Sequence, residues 1–208
     1  MSISSPGAVM ILSKVILAPG NLQNAWEWHR ALWSLFPDIE RQPNESSPFL
    51  YRVERVDLAK GAEVLVQSTL RPIERSKNAK VAATRMIEPR PQTHQPLRFL
   101  LTANVTKTIR DKDAPDRKIR VPLIREEEQI QWLGRKLNGA AGKISELKVQ
   151  PHPPIYFRKG SRPGKIVKVS FEGMLETSDP ERLKGILESG IGPAKAFGCG
   201  LLLVRRTS

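Results

Sequence analysis

Cysteine is almost absent from this chain: Cys199 is the only one in 208 residues. That excludes a disulfide framework and any zinc site built on cysteines, and it points to the cytosol. Long apolar runs are missing as well. No stretch approaches the roughly 20 apolar residues of a membrane span, so no membrane contact is expected. The opening MSISSPGAV has neither a basic segment nor an apolar core of adequate length for a secretory signal. Residues 1–9 read instead as a flexible leader or cloning scar, with Met10 as an alternative start. The nucleophile elbow GxSxG, the phosphate loop GxxxxGK(S/T) and the zinc signature HExxH are all absent. The acidic run Glu126–Glu128 sits on a predicted helix, which spreads consecutive positions around its axis. It makes no two-metal carboxylate cluster, so no metal or cofactor is expected and any nuclease chemistry should be metal-independent.

What the chain has in excess is positive charge. Asp and Glu number 21 against 34 Lys and Arg, a net charge of +13. A polyanion is the natural partner for such an imbalance. The length suits one large domain or two of roughly 100 residues each, and four Trp with six Phe supply core anchors.

Hydrophobic patterning divides the chain into two similar halves. Strands are predicted at MILSKVILA (10–18), FLYRVERV (49–56) and AEVLVQSTL (62–70), with a helix over 24–36 after the first. A basic, less regular segment around Lys77, Lys80 and Arg85 follows, and LRFLLTANVTKTI (97–109) closes the half as one long strand. In the second half RVPLI is a short strand and 125–137 is helical, with Ile130, Leu133 and Leu137 on one face. IYFRKG (155–160) and KIVKVSFEGMLE (165–176) read as a hairpin with a basic turn. A helix over 179–190 carries Asp179 as N-cap and Gly190 as C-cap, and LLLV after Gly200 is the last strand. The expected fold is α+β, two tandem ferredoxin-like βαββαβ domains at 10–115 and 116–208. A single larger α+β domain is the alternative. RDKDAPDRKIR (110–120) between the halves reads as a solvated linker whose positive charge can touch phosphates.

Three groups of residues carry candidate chemistry. On the first helix, Ala25, Trp28, Leu32, Leu35 and Phe36 form an apolar stripe, and His29 falls at its edge, about 70° from its centre. Trp26, Arg30 and Trp33 share the neighbouring face with it. A helical histidine is most often structural, but this one stands beside an arginine and two indoles in a basic chain. An imidazole with an ordinary pKa near 6.5 suits proton transfer at neutral pH. Against RNA, that means deprotonating a 2′-OH or protonating the leaving 5′-oxygen. His94 in PRPQTHQP and His152 in QPHPP read as exposed-loop residues. The hairpin FRKGSRPGK (157–165) carries Arg158, Arg162 and Lys165 around two glycines, either a phosphate clamp or a solvated turn. In GIGPAKAFGCG (190–200), four glycines flank Lys195. The loop is either an anion-binding concavity or a tight helix-to-strand turn.

Taken in order and spacing, LSKVILAP, WHRALWSLFP, FLLTANVTKTI, RVPLIREEEQIQWLGRKL, KVSFEGMLE and GIGPAKAFGCGLL resemble the CasE family of CRISPR-associated endoribonucleases. The resemblance runs from Met10 to the C-terminus. It implies two ferredoxin-like (RRM-like) domains and a CRISPR repeat RNA stem-loop as substrate. It also implies metal-free cleavage by 2′-OH attack, giving a cyclic phosphate and a 5′-OH, and retention of the product crRNA hairpin within the Cascade complex beside other Cascade subunits. His29 matches the family's general acid/base, and Arg30 a basic residue near the scissile phosphate. Lys107, Arg158, Arg162 and Lys165 match its RNA-contact regions. Two positions depart from the family pattern: Trp26 stands where tyrosine is usual, and Val105 where proline is usual. A protein that only holds the hairpin is the rival reading.

Overall fold

The structure, a computed structural model, describes residues 9–21, 24–39, 47–57, 59–112, 114, 116–159 and 162–207. The leader at 1–8 therefore lies outside the described residues. β1 (Met10–Leu17) leads into α1 (Ala25–Trp33), followed by β2 (Phe49–Asp57), β3 (Gly61–Ser68) and β4 (Ala79–Ile87). These strands form one antiparallel sheet in the order β2-β3-β1-β4. Then come β5 (Pro96–Ala103), the hairpin β6 (Thr106–Arg110) and β7 (Lys118–Pro122), α2 (Glu126–Leu137) and β8 (Ala141–Pro151). A second hairpin, β9 (Ile155–Lys159) and β10 (Arg162–Ile166), precedes β11 (Val169–Thr177), α3 (Pro180–Ser189) and β12 (Leu202–Arg206). The second sheet has the order β12-β5-β11-β8. In both sheets the first and third strands of the unit are central, which is the ferredoxin-like order. Two hairpins are inserted into the second unit, and between β3 and β4 the first has no helix.

Alternation explains which face of each sheet is covered. In β1, Ile11, Ser13, Val15 and Leu17 are buried on one face, while Lys14 on the other is exposed. The α1 stripe packs on that covered face through Ala25, Trp28 and Leu32, and Leu35 and Phe36 continue it beyond the helix. Burying one such leucine contributes about 2 kcal/mol. In β5, Leu97, Phe99, Leu101 and Ala103 are buried at period two and face α2 and α3. Asp179 caps α3 by accepting from the Arg182 amide at 3.0 Å, and Gly190 ends it at φ +72°. Both caps agree with the sequence. On α2, Leu133 and Leu137 are buried as expected, but Ile130 is 39% exposed and Trp132 takes the inward position.

Strand pairing corrects the sequence reading in four places. Residues 97–109 are two strands, not one, and β5 pairs with β11 and β12 of the second sheet. The first sheet is closed instead by β4, the segment that looked irregular; its exposed side chains suit an edge strand. Arg110 and residues 118–120 of RDKDAPDRKIR are paired strand residues of the β6–β7 hairpin rather than a linker, and the Asp111 amide donates to the Arg117 carbonyl at 2.8 Å. Lastly, β11 belongs to the second sheet, and β9 pairs with β10. On this pairing we propose that the division between units, expected at 115/116, falls in the connection 88–95.

The two units are pinned together. Met10 of β1 is buried in the second core, and the buried Gln67 side chain donates to the Leu187 carbonyl at 2.7 Å. Among the described residues no helix is long and apolar enough to cross a membrane.

Gly61 opens β3 at φ +102°, and a side chain there would run into the backbone carbonyl of Leu17. Gly61→Ala is expected to lower unfolding stability by about 2 kcal/mol or more, read from the midpoint of a urea denaturation curve.

Candidate active site

The site begins at the start of α1. Asn24 caps the helix by accepting from the Trp26 amide at 3.1 Å, and its side-chain amide donates to the Arg158 carbonyl at 3.2 Å. The helix terminus and the β9–β10 hairpin are thereby joined. One turn on, His29 is only 6% exposed. Its ring lies 5.4 Å from Phe49 and 6.4 Å from Tyr51, nearly parallel to the latter at 25°. Trp26 and Trp33 each stand 6.2 Å away. Helical spacing of 26, 29 and 33 and strand spacing of 49 and 51 bring these five rings together. The sequence put His29 at the stripe's edge; the structure turns it further inward.

The glycine-rich loop comes to this helix from the second unit. The Ile191 amide donates to the Gly200 carbonyl at 2.8 Å, and the Gly200 amide to the Thr102 carbonyl at 2.7 Å. Ala194 at φ +64° and Gly198 at φ +73° bracket a single 3₁₀ turn, Lys195–Phe197. Phe197 packs 5.9 Å from Trp26 and 4.3 Å from Phe157. The Tyr51 hydroxyl donates to the Ala196 carbonyl at 2.8 Å. Burial pushes the Tyr51 phenol far above its usual range, so it stays neutral and serves to position the loop. Lys195 donates to the Ser189 carbonyl at 2.6 Å, and burial lowers its ammonium below the usual lysine range. The loop is thus a tight helix-to-strand turn that also delivers a cation.

A cavity of about 510 Å³ lies where these elements meet, lined by Trp26, His29, Phe49, Ser68, Ser189 and Lys195 among others. Of the residues singled out in the sequence, it unites Trp26, His29 and Lys195. Lys165 lines a separate groove of about 540 Å³ with Thr106, Arg120 and Phe197. Arg158 is exposed on β9, opposite Pro163. Arg162 begins β10; its side chain and the turn at 160–161 lie outside the described residues. Arg30 and Lys107 line neither space. Arg30 pairs with Glu27 at 3.1 Å and Lys107 with Glu128 at 3.0 Å, holding the Glu128 carboxyl below its usual range. Tyr51 and Ser189 were missed from sequence, and Arg120 was named only within the charged stretch 110–120. Tyr51 had a signal, its period-two spacing from Phe49; Ser189 had none.

The family described as "CRISPR associated protein" matches residues 10–206. The chain is 40% identical over 199 residues to "CRISPR system Cascade subunit CasE" of Escherichia coli (strain K12), covering 93% of this chain and 98% of that protein. It is 32% identical to "CRISPR-associated endoribonuclease Cse3" of Thermus thermophilus, covering 94% and 99%. Among solved structures, Cas6e from E. coli str. K-12 superposes with a TM-score of 0.82 at 38% identity, covering 95% of this chain and 100% of that one. Cse3 bound to 19 nt RNA superposes with a TM-score of 0.74 at 31% identity, covering 95% and 99%.

If Phe197 fastens the loop to α1, Phe197→Ala should cost about 3 kcal/mol of stability, as for other buried aromatics. It should also shift the Trp26 fluorescence in the still-folded protein. An unchanged emission with unchanged stability would show that the loop stands without it.

Proposed function

The chain belongs to the family of CRISPR-associated proteins, and from that premise we propose that it is an endoribonuclease acting on the stem-loop of CRISPR repeat RNA. On this reading it cleaves without a metal ion, retains the product hairpin and serves as a subunit of Cascade. The observation that carries the proposal is the shared cavity, lined by a histidine of α1 and a lysine of the glycine-rich loop. The printed names of the relatives, a Cascade subunit and a CRISPR endoribonuclease, support the same reading.

The chemistry follows from the groups at hand. The 2′-oxygen attacks the adjacent phosphorus while the bond from phosphorus to the 5′-oxygen breaks. The proton leaving the 2′-OH is balanced by one delivered to the 5′-oxygen, so the products are a 2′,3′-cyclic phosphate and a 5′-OH. His29 is the group suited to this transfer. Lys195 opposes the charge that builds on the phosphorane oxygens. Trp26 offers a face on which an unpaired base can stack, but it has no hydroxyl to share in the proton transfer. Arg158, Arg162 and Lys165 on the hairpin supply phosphate contacts to the stem. Arg30 and Lys107 join them by exchanging a carboxylate for a phosphate.

A protein that only holds the hairpin is the second reading, favoured by the indole at position 26 and the depth of His29. Incubation with the host's own repeat RNA in EDTA separates the two. Wild type should cut at the base of the stem. His29→Ala should bind within about threefold of wild type and cut at least 10²-fold more slowly. Tight binding by wild type with no cut product would establish the holding role instead. Replacing Arg158 and Lys165 together by Ala should weaken binding and flatten the salt dependence by about two units of log–log slope. Unchanged affinity in that variant would remove the hairpin from the interface.

A further inference from the structure

His152, read from sequence as an exposed-loop residue, is half-buried and engaged. Its Nε2 lies 2.7 Å from the Ser170 hydroxyl, which lies 2.8 Å from the Thr102 hydroxyl. The row runs from just past the end of β8 across β11 to β5, on the face of the second sheet away from its helices. The His152 amide donates to the Lys168 carbonyl at 3.0 Å. These two residues flank the root of the β9–β10 hairpin, which starts at Ile155 and ends at Ile166. Arg52 comes from β2 of the first unit, on the face opposite Tyr51. Its Nε contacts Glu54, while its buried Nη1 has no hydrogen-bond partner among the described residues. Lys168 is half-buried and has no carboxylate partner among them.

The backbone bond joins His152 to Lys168, and the charges of Lys168 and Arg52 both act on the His152 ring, with the Glu54 carboxylate on Arg52 to offset them. Burial lowers the His152 imidazole, and the charges of Lys168 and Arg52 lower it further. Burial also lowers Lys168, with Arg52 adding to the effect. Nearby Cys199 supplies no counter-charge, because burial pushes its thiol up to about 12. Such an arrangement opposes folding unless something neutralises it. The hydroxyl row accounts for His152 as a brace between strands, but not for Lys168 or the buried Nη1 of Arg52. With neutral His152 accepting from Ser170 at Nε2, the ring proton sits on Nδ1. The cluster then offers three kinds of donor, guanidinium, ammonium and imidazole N–H, against the single Glu54 carboxylate. That set fits the oxygens of a phosphate.

We propose that Arg52, His152 and Lys168 form an anion pocket at the root of the β9–β10 hairpin that takes one backbone phosphate of the bound RNA, apart from the His29 cavity. This rests on the RNA-binding reading above. A bound phosphate neutralises the cluster, ties the first unit to the hairpin of the second, and raises the proton affinity of His152.

The test is an NMR titration of the His152 ring, free and with two probes. One is the repeat stem-loop blocked by a 2′-deoxy sugar at the cut site; the other is millimolar inorganic phosphate. Saturating RNA should raise the His152 midpoint by about one pH unit. In Lys168→Met, which removes a half-buried charge and so should fold, the free midpoint should already be higher. RNA should move that midpoint less and bind about tenfold more weakly. RNA bound at full affinity with the His152 midpoint unmoved would overturn the pocket and leave the RNA-binding reading intact. If the RNA fails to bind at all, that reading falls and the phosphate arm decides. An upward shift with phosphate alone keeps the pocket as a site for free phosphate, and no shift overturns it.

Discussion

The candidate site depends on one contact between the units, the insertion of Phe197 between Trp26 of α1 and Phe157 of β9. The adjoining bond from the Tyr51 hydroxyl to the Ala196 carbonyl fixes the same turn from the other side. With that turn in place Lys195 reaches the cavity that contains His29, and Asn24 holds the basic hairpin beside the helix start. Neither unit contains both groups. The proposed chemistry is therefore a property of the interface, and the buried Gln67 and Met10, which line the same cavity, pin the units beside it.

The charge distribution follows a related logic. A net charge of +13 costs folding stability through self-repulsion. Some cations are quieted locally: Lys14 by Glu63, Arg30 by Glu27, Lys107 by Glu128. These exposed pairs contribute little to stability, and their cations can turn to phosphate. Lys195, Lys168 and Arg52 are different, since burial withholds water from them. They sit around the glycine-rich loop and the hairpin root, where an RNA strand can supply the missing negative charge.

Much of this was legible because it is local. The α1 stripe, the alternation in β1 to β3 and the caps Asp179 and Gly190 each lie within a few consecutive residues. What failed to show was pairing across distance. The apolar alternation of β5 says that one face is buried, but not that its partners are β11 and β12. β4 and β8 escaped or looked irregular because they carry few fully buried side chains, as sheet-edge strands do. Asn104 and Val105 lie outside the strands and separate β5 from β6, with Val105 buried in the second core. Lys107 then meets Glu128 instead of the cavity. His29 was found by residue type and neighbours; its ring stack with Tyr51 required β2 to lie beneath α1. The partners of His152 were invisible, since Ser170 and Thr102 are distant in sequence.

The central claim is that an interface built from both units carries out 2′-OH attack on RNA. Its most direct test compares repeat RNA with the same RNA bearing a single 2′-deoxy sugar next to the scissile phosphate, in EDTA, with mass analysis of the products. The account predicts a 2′,3′-cyclic phosphate and a 5′-OH from the first RNA, and an intact, bound second RNA. Cleavage of the deoxy-substituted RNA, or cleavage of either only after adding a divalent metal, would contradict it.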